Sequence, residues 1–300
     1  MFDQPRFLVR FWGVRGSYPT PGPKTVRYGG NTSCLEIQAG AHTLILDAGS
    51  GIIQLGEHLL QQTPAGPLDL SVFFTHAHGD HLIGFPFFLP LFEKRASLHF
   101  FGPGLGDRSI EQILLPIMSP PYFPVDLRSL PSKRLFHTIT DQELIAWGSK
   151  KAEPQIILRT ETQPGNDLCV YAQYTHCHPQ DGAVCYRVEY GGRSLIFATD
   201  VEWEDECDEE FREFAQGTDL LIHDAQYTTP DYQHSKQGFG HSTFEMATRT
   251  ANCVEAKRLV LFHHDPGYDD EKLDQMQMDA RLFFANTQTA YEGLEIDLLA

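Results

Sequence analysis

The 300-residue chain is predicted to be an α/β protein folded as one domain. Short apolar runs rich in Val, Ile, Phe and Tyr recur along it, and Gly, Pro or Asp usually separates them, as is typical of β-strands. Helical patterns fall between some of these runs. Hydrophobic residues make up 41% of the chain and aromatic residues 12%, which is enough for a substantial core and excludes a disordered chain.

The predicted strands are, in chain order, FLVRFW, SCLEIQ, HTLILD, LSVFFT, SLHFFG, QIILRT, CVYAQYTH, AVCYRVEY, SLIFATD, DLLIHD and RLVLFHH. Helical patterns are found at 51–62, 107–118, 242–255 and 269–286. The third of these opens with Ser242 as the predicted N-cap and Glu245 three positions later, which is the pattern of a capping box. The order favours a many-stranded core with helices on the outside.

No repeat, low-complexity tract or clear linker divides the chain, so residues 1–300 are predicted to form a single domain with a surface excursion within 102–150. The Pro-rich stretch Leu115–Arg134 lies in this range, and its Leu and aromatic residues favour an ordered path over the surface. Tyr122 and Phe123 could cover a pocket and stack on a base or aryl group. Packing into the core, or against a second copy in a homodimer, is an alternative at least as consistent with the sequence.

The charge balance restricts the partners. Forty acidic residues against 23 basic ones give a formal net charge of −17. A surface this acidic repels phosphate backbones and anionic lipid, which argues against a long nucleic acid as a partner. A small anionic substrate remains compatible, because a bound metal ion reverses the local field.

Targeting signals are not found. The N-terminal stretch does not read as a signal peptide, and no run approaches the roughly 18 apolar residues of a membrane helix, so no membrane partner is predicted. The six cysteines form no CxxC pair, which predicts reduced thiols and a cytoplasmic location.

The segment THAHGDH, Thr75–His81, places three histidines and an aspartate after an apolar run. Imidazole nitrogen and carboxylate oxygen are ligands of zinc and related ions. His76 and His78 are two positions apart, so both rings can bind one metal ion, and Asp80 and His81 can bind a second. Further ligands are needed to complete two sites. Metal-binding residues also end other predicted strands: His176 and His178, Asp200, and His263 and His264.

The motif HxHxDH, a later His, an Asp that closes a strand and a final His resemble the metallo-β-lactamase superfamily over roughly residues 7 to 268. LILDAGSGI, with Asp47, is similar to a strand of that superfamily. FWGVRGSYPTPG and YGGNTSCLEI resemble the branch that contains small phosphodiesterases and ribonuclease Z. The resemblance implies an αββα sandwich of two facing mixed β-sheets flanked by helices, with a dinuclear metal site along one edge.

The resemblance also implies a ligand set. One metal ion would be held by His76, His78 and His178, the other by Asp80, His81 and His263, and Asp200 would bridge them. His178 is preferred to His176 because it directly precedes PQDG and the strand AVCYRVEY, and His263 is preferred to His264 because it directly follows RLVLF. Zinc suits this histidine-rich set, and manganese or iron could occupy the same ligands.

GHST (240–243) and LIHDAQYT (221–228) resemble the segments of ribonuclease Z and related phosphodiesterases that supply a histidine beside the metals and a carboxylate that orients it. The matching residues are His241 and Asp224, which are predicted to be catalytic together with Asp80. Asp224 replaces the family's Glu and Gln226 its Thr, which shortens the carboxylate arm. A simpler interpretation is that Ser242 caps a helix and His241 is a loop residue, and both interpretations can hold at once.

The predicted function is therefore hydrolysis of small phosphodiesters, such as cyclic nucleotides, by a metal-bridging hydroxide in a dinuclear enzyme. A lactonase or arylsulfatase on the same scaffold is one alternative. A non-catalytic sensor that binds a phosphorylated ligand through its metals is another. Arg15 and Asn31 are candidate phosphate contacts, although a tight turn explains the GGNTS loop equally well.

Overall fold

The computed structural model describes residues 6–148, 153–161, 166–179, 182–203 and 207–300. Its strands are β1 Phe7–Gly13, β2 Cys34–Ala39, β3 His42–Leu46, β4 Leu68–Phe73, β5 Ala96–Gly102, β6 Lys133–Thr138, β7 Glu143–Gly148, β8 Gln155–Leu158, β9 Asn166–Thr175, β10 Ala183–Tyr190, β11 Arg193–Ala198, β12 Leu220–Asp224, β13 Leu259–Phe262, β14 Thr287–Thr289 and β15 Glu295–Asp297. Its α-helices are α1 Ile52–Gln62, α2 Gly79–Leu82, α3 Ile110–Leu114, α4 Glu209–Ala215, α5 Thr229–Asp231, α6 Phe244–Cys253 and α7 Asp270–Phe283.

The strands form two mixed sheets. The first has the order β15-β1-β2-β3-β4-β5-β6, and the second β14-β13-β12-β11-β10-β9-β7-β8. In the first sheet β3 to β6 are parallel, and in the second β11 to β14 are parallel, while the remaining pairs are antiparallel. Parallel strands need crossover connections, which α1, α4 and α6 supply in part.

The core has three layers of apolar side chains. Alternate residues of each strand face opposite ways, so Leu44 and Leu46 of β3 lie between the sheets while Ile45 faces the helices. Phe11 and Phe262 meet across the sheets with ring centres 6.1 Å apart. The outer layers are covered by α1 on the first sheet and by α4, α6 and α7 on the second. The result is the predicted αββα sandwich.

This layered arrangement determines where the candidate site lies. The carboxyl ends of parallel strands meet at the same edge of a sheet, and polar residues follow β3, β4, β11, β12 and β13 there. Two of these residues are Asp47 and Asp200, one on each sheet.

All eleven predicted strand segments contain observed strands, and two further strands come from 102–150. Lys133–Thr138 extends the first sheet and Glu143–Gly148 the second, so this range is not an excursion as a whole. Positions 149 and 150 lie outside the described residues. Tyr122 is 83% exposed, whereas the ring of Phe123 packs on Phe87 at 5.8 Å.

The N-cap prediction for α6 is wrong. Thr243, not Ser242, precedes the helix and accepts a hydrogen bond from the Met246 amide. The Ser242 hydroxyl instead donates to the carbonyl of Val201. Among the described residues, no helix is long and apolar enough to cross a membrane.

Candidate functional site

The predicted ligand residues converge at the shared edge of the two sheets. Donor atoms lie within 4.8 Å of one another in each of several groups: His76, His78 and His178; Asp80, His81 and His263; His76, His81 and Asp200. His76 and His78 lie in the loop after β4 rather than in the strand, and Asp80 and His81 lie on α2.

Asp200 lies between the first two groups. Its Oδ1 is 3.7 Å from Nε2 of both His76 and His178. Its Oδ2 is 3.2 Å from His81 Nε2 and 3.5 Å from His263 Nε2. One carboxylate oxygen therefore faces each group, which is the arrangement that a bridging ligand requires.

Hydrogen bonds at the far nitrogen orient the histidines. His178 Nδ1 donates to the Gly240 carbonyl at 2.9 Å, and His81 Nδ1 donates to Asp47 Oδ2 at 2.7 Å. These bonds leave the Nε2 lone pairs facing into the cluster. A carboxylate or carbonyl behind a histidine is the usual support of a metal ligand.

His76 shows the fit to a cation most directly. Its Nδ1 is 3.0 Å from the hydroxyl of Thr75, which donates in turn to Asp47. Its Nε2 is buried and has no hydrogen-bond partner among the described residues. A buried, unpaired nitrogen costs free energy unless something binds it, and a metal ion at the centre of this donor set would do so.

The protonation states also suit a cation. Burial lowers the pKa of His76 well below its ordinary value and lowers that of His178. Burial disfavours the charged form of the Asp80 carboxylate, but the adjacent His81 and His263 outweigh it and lower its pKa well below the usual range. Neutral imidazole and ionised carboxylate are the metal-binding forms.

His81 is the exception. Burial acts to lower its pKa, but the carboxylates of Asp200, Asp80 and Asp47 outweigh burial and raise the pKa well above its ordinary value. A cation bound at Nε2 would take the place of that proton, because metal binding releases protons from its ligands.

The backbone is strained where these side chains leave the strands. Asp47, Asp200 and His263 have φ values of 63°, 57° and 62°, in the left-handed region that non-glycine residues seldom adopt. Each such residue costs on the order of 1–3 kcal/mol and is typical of functional sites. The left-handed turn directs each of these side chains to the sheet edge.

His241 and Asp224 form a pair beside the cluster. His241 Nδ1 is 2.8 Å from Asp224 Oδ2, and the His241 ring lies 5.2 Å from that of His178 and 5.0 Å from that of His263. Burial lowers the pKa of His241, but Asp224 outweighs it and raises the pKa to about 9. The shorter aspartate arm therefore does reach the imidazole.

Asp224 is itself held in place by backbone amides. Its two oxygens accept hydrogen bonds from the amides of Asp200, Gln226 and Ser242 at 3.0 to 3.1 Å. This carboxylate connects the end of β12 to both the bridging position and the GHST segment.

The structure places the preferred histidine of each pair in the cluster and its neighbour elsewhere. His178 lies in the cluster, whereas the neighbouring His176 is exposed. His263 lies in the cluster, whereas His264 Nε2 donates to the Ala290 carbonyl and burial lowers the pKa of His264 to about 3.

The two candidate phosphate contacts have other roles. Arg15 is fully buried, and its guanidinium donates to the carbonyls of Gly29, Asp265 and Tyr268. The Asn31 amide groups donate to the Glu292 carboxylate at 2.6 and 3.1 Å. Both residues therefore order loops.

Sequence reasoning missed Glu202. Its carboxylate accepts hydrogen bonds from the amides of Gly238 and Gly240, at 2.7 and 2.6 Å, and from the Tyr232 hydroxyl at 2.7 Å. It thereby holds the loop whose Gly240 carbonyl supports His178 and which leads into His241. The only signal in the sequence is its place two residues after Asp200.

Comparison with known proteins agrees with the fold. Residues 42–264 match the family model described as the beta-lactamase superfamily domain. The ribonuclease Z of Thermococcus sibiricus is 25% identical over 291 residues, which cover 89% of each chain. Two solved structures share the fold. The metallo-beta-lactamase fold protein YhfI from Bacillus subtilis has a TM-score of 0.68 at 18% identity and covers 98% of this chain and 100% of its own. A diphosphatase from the PhnP family has a TM-score of 0.67 at 16% identity and covers 97% of both chains.

Proposed function

The chain belongs to the beta-lactamase superfamily, and on that premise we propose that it is a metal-dependent hydrolase of small phosphodiesters. Cyclic nucleotides are the substrate class that we would test first. The observation that carries the proposal is the His241–Asp224 pair, at 2.8 Å, beside a cluster of seven ligand-type side chains.

Two divalent ions fit the donor set. His76, His78 and His178 would hold one, Asp80, His81 and His263 the other, and Asp200 would contact both. When bound, the ions supply Lewis-acid charge and a water-derived nucleophile at neutral pH. Zinc suits these ligands best, and manganese or iron are alternatives.

His241 would act as the general acid. Asp224 holds its Nδ1 proton, so the Nε2 proton is free to pass to the alkoxide that leaves phosphorus. The Asp224 carboxylate, 2.8 Å from Nδ1, stabilises the protonated form of the ring, as an acid requires. A hydrolase that splits esters or lactones with good leaving groups has less need of such a donor.

The charge of the chain supports a small substrate. The relative from Thermococcus sibiricus is named a ribonuclease, which favours phosphodiester chemistry and makes RNA the second candidate. A net charge of −17 opposes a long polyanion, whereas a small anion meets only the local field of the site.

His241→Ala should retain the metal content of the wild type and lose turnover of a cyclic mononucleotide, whose leaving alkoxide needs a proton, by about 10²–10⁴-fold. His176→Ala is the matched control, because this histidine is exposed and lies outside the cluster. Elemental analysis and initial rates measure the two quantities. Wild-type turnover in His241→Ala would contradict the assigned role.

A substrate screen tests the proposed substrate class. Metal-loaded protein is offered cyclic mono- and dinucleotides, a structured RNA, a lactone and an aryl sulfate at equal concentration. We expect the highest kcat/KM for a small phosphodiester. A preference for RNA, lactone or sulfate would replace the proposal, and tight binding of a phosphorylated ligand without turnover would favour a sensor.

A further inference from the structure

A small apolar pocket opens beside the ligand group of His76, His78 and His178. It has a volume of about 140 Å³ and is lined by His76 and His78 on one side and by Leu105, Ile110 and Ile113 on the other. Ala77, Pro103, Gly104, Pro179 and Gly182 complete the lining. The mechanism proposed above makes no use of this space.

The far wall of the pocket is built from the segment after β5. Ser109 caps α3 with a capping box, and the amide of Ile110 donates to the Thr138 hydroxyl at 3.1 Å. Leu105 and Arg108 pair through two backbone hydrogen bonds. These contacts fix the wall without a ligand, so the pocket is preformed.

The chemistry of the lining selects an uncharged, apolar group. Among the described residues that line it, the two imidazoles are the only ionisable groups. A dry apolar cavity of about 150 Å³ in another protein holds one benzene ring. This pocket is of similar volume, so it fits a single aromatic ring.

The position of the pocket indicates which end of the substrate enters it. His241 contacts His178 and His263, and neither of these lines the pocket. The leaving group must lie near His241 to receive its proton. The group that stays esterified to phosphorus therefore lies on the His76 and His78 side.

We propose that this pocket binds an aromatic ring on the non-leaving group of the phosphodiester, and that Ile113 sets its size. The inference rests on the proposed function and narrows it to diesters whose non-leaving group carries an aryl ring. Tyr122 and Phe123, which the sequence offers as one candidate cover, do not line this pocket, and its far wall comes from 103–113.

The test compares 4-nitrophenyl phenyl phosphate with 4-nitrophenyl methyl phosphate, which share one leaving group. We expect wild-type kcat/KM to be at least about tenfold higher for the phenyl ester, because a hydrophobic pocket discriminates by that much for a small apolar group. Ile113→Phe fills the pocket and should bring the phenyl-to-methyl ratio close to one. Ile156→Phe, at an isoleucine that is 37% exposed on β8, is the matched control and should keep the ratio.

Equal kcat/KM for the two esters in the wild type, or an unchanged ratio in Ile113→Phe, would overturn the pocket assignment while leaving the phosphodiesterase proposal intact. If neither ester is hydrolysed, the proposed function fails. Calorimetry with metal-loaded protein then tests whether the pocket binds an aromatic ring. Diphenyl phosphate should then bind at least about tenfold more tightly than dimethyl phosphate, and Ile113→Phe should remove the difference. Equal affinities for the two phosphates would overturn the pocket assignment.

Discussion

The two halves of the candidate site are constructed differently. The loop half consists of His76, His78, Asp80 and His81, from one short segment of the first sheet. The strand-end half consists of His178, Asp200, His241 and His263, from four separate segments associated with the second sheet. The loop half depends on one turn of chain, whereas the strand-end half depends on the register of β9 to β13.

The backbone follows the same division. Asp200 and His263 of the strand-end half adopt left-handed φ values, and no residue of the loop half does so. The strain at these two residues must be offset by the packing of β11, β12 and β13, whose strands are fully buried at these ends. The loop half is instead supported by hydrogen bonds to Asp47 and Thr75. One half is therefore specified by a local segment of the chain, and the other by the packing and register of the second sheet.

Of the three changes that test this comparison, Asp200→Asn should have the largest effect, because this residue joins the halves. The change keeps the volume and tolerates the left-handed φ, but it removes the charge that faces both ligand groups. We expect the loss of one metal ion per chain and a fall in turnover on the order of 10²–10³-fold, comparable to removing one electrostatic stabiliser of a transition state. Elemental analysis and initial rates measure both.

Asp279→Asn, on α7 and hydrogen-bonded to Gln275, is the control for the charge change. Full metal content and turnover in Asp200→Asn would show that the halves act independently.

Asp47→Asn should have the second-largest effect, and this effect should fall on the loop half. Asp47 accepts from His81 Nδ1 and from both the amide and the hydroxyl of Thr75. Loss of such support reduces metal affinity by about 10–100-fold. Competition with a chelator measures the metal affinity.

The control is Glu36→Gln, another buried carboxylate of the first sheet, which binds Arg10 and Trp12 away from the site. If both variants lower metal affinity equally, the effect comes from the sheet and not from His81.

Glu202→Gln should have the smallest effect of the three, and the effect should be limited to the strand-end half. The amide of Gln cannot accept all three hydrogen bonds that reach Glu202, so the Gly240 carbonyl and His241 shift together. We expect kcat to fall roughly tenfold while KM for the diester stays within about twofold.

Glu213→Gln, an exposed change on α4, is the control. A fall in melting temperature with unchanged kcat would mean that Glu202 supports the fold alone.

Much of the site was accessible from sequence for a physical reason. The THAHGDH segment carries its chemistry in adjacent positions, and short apolar runs show the strands that present the other ligands. The strands Lys133–Thr138 and Glu143–Gly148 were missed. The first begins with two basic residues, is mostly half-exposed along its length and overlaps the end of the Pro-rich stretch Leu115–Arg134.

The amino-acid sequence by itself determined the ligand types, the alternation of buried and exposed strand residues and the resemblance to the superfamily, because these are local properties of the chain. Only the tertiary structure decided that Glu202 supports the GHST loop, that Arg15 is buried among carbonyls, and that an apolar pocket adjoins His76 and His78. Those contacts join residues far apart in the chain, and they depend on how two sheets pack and in which register their strands pair, which no local pattern encodes.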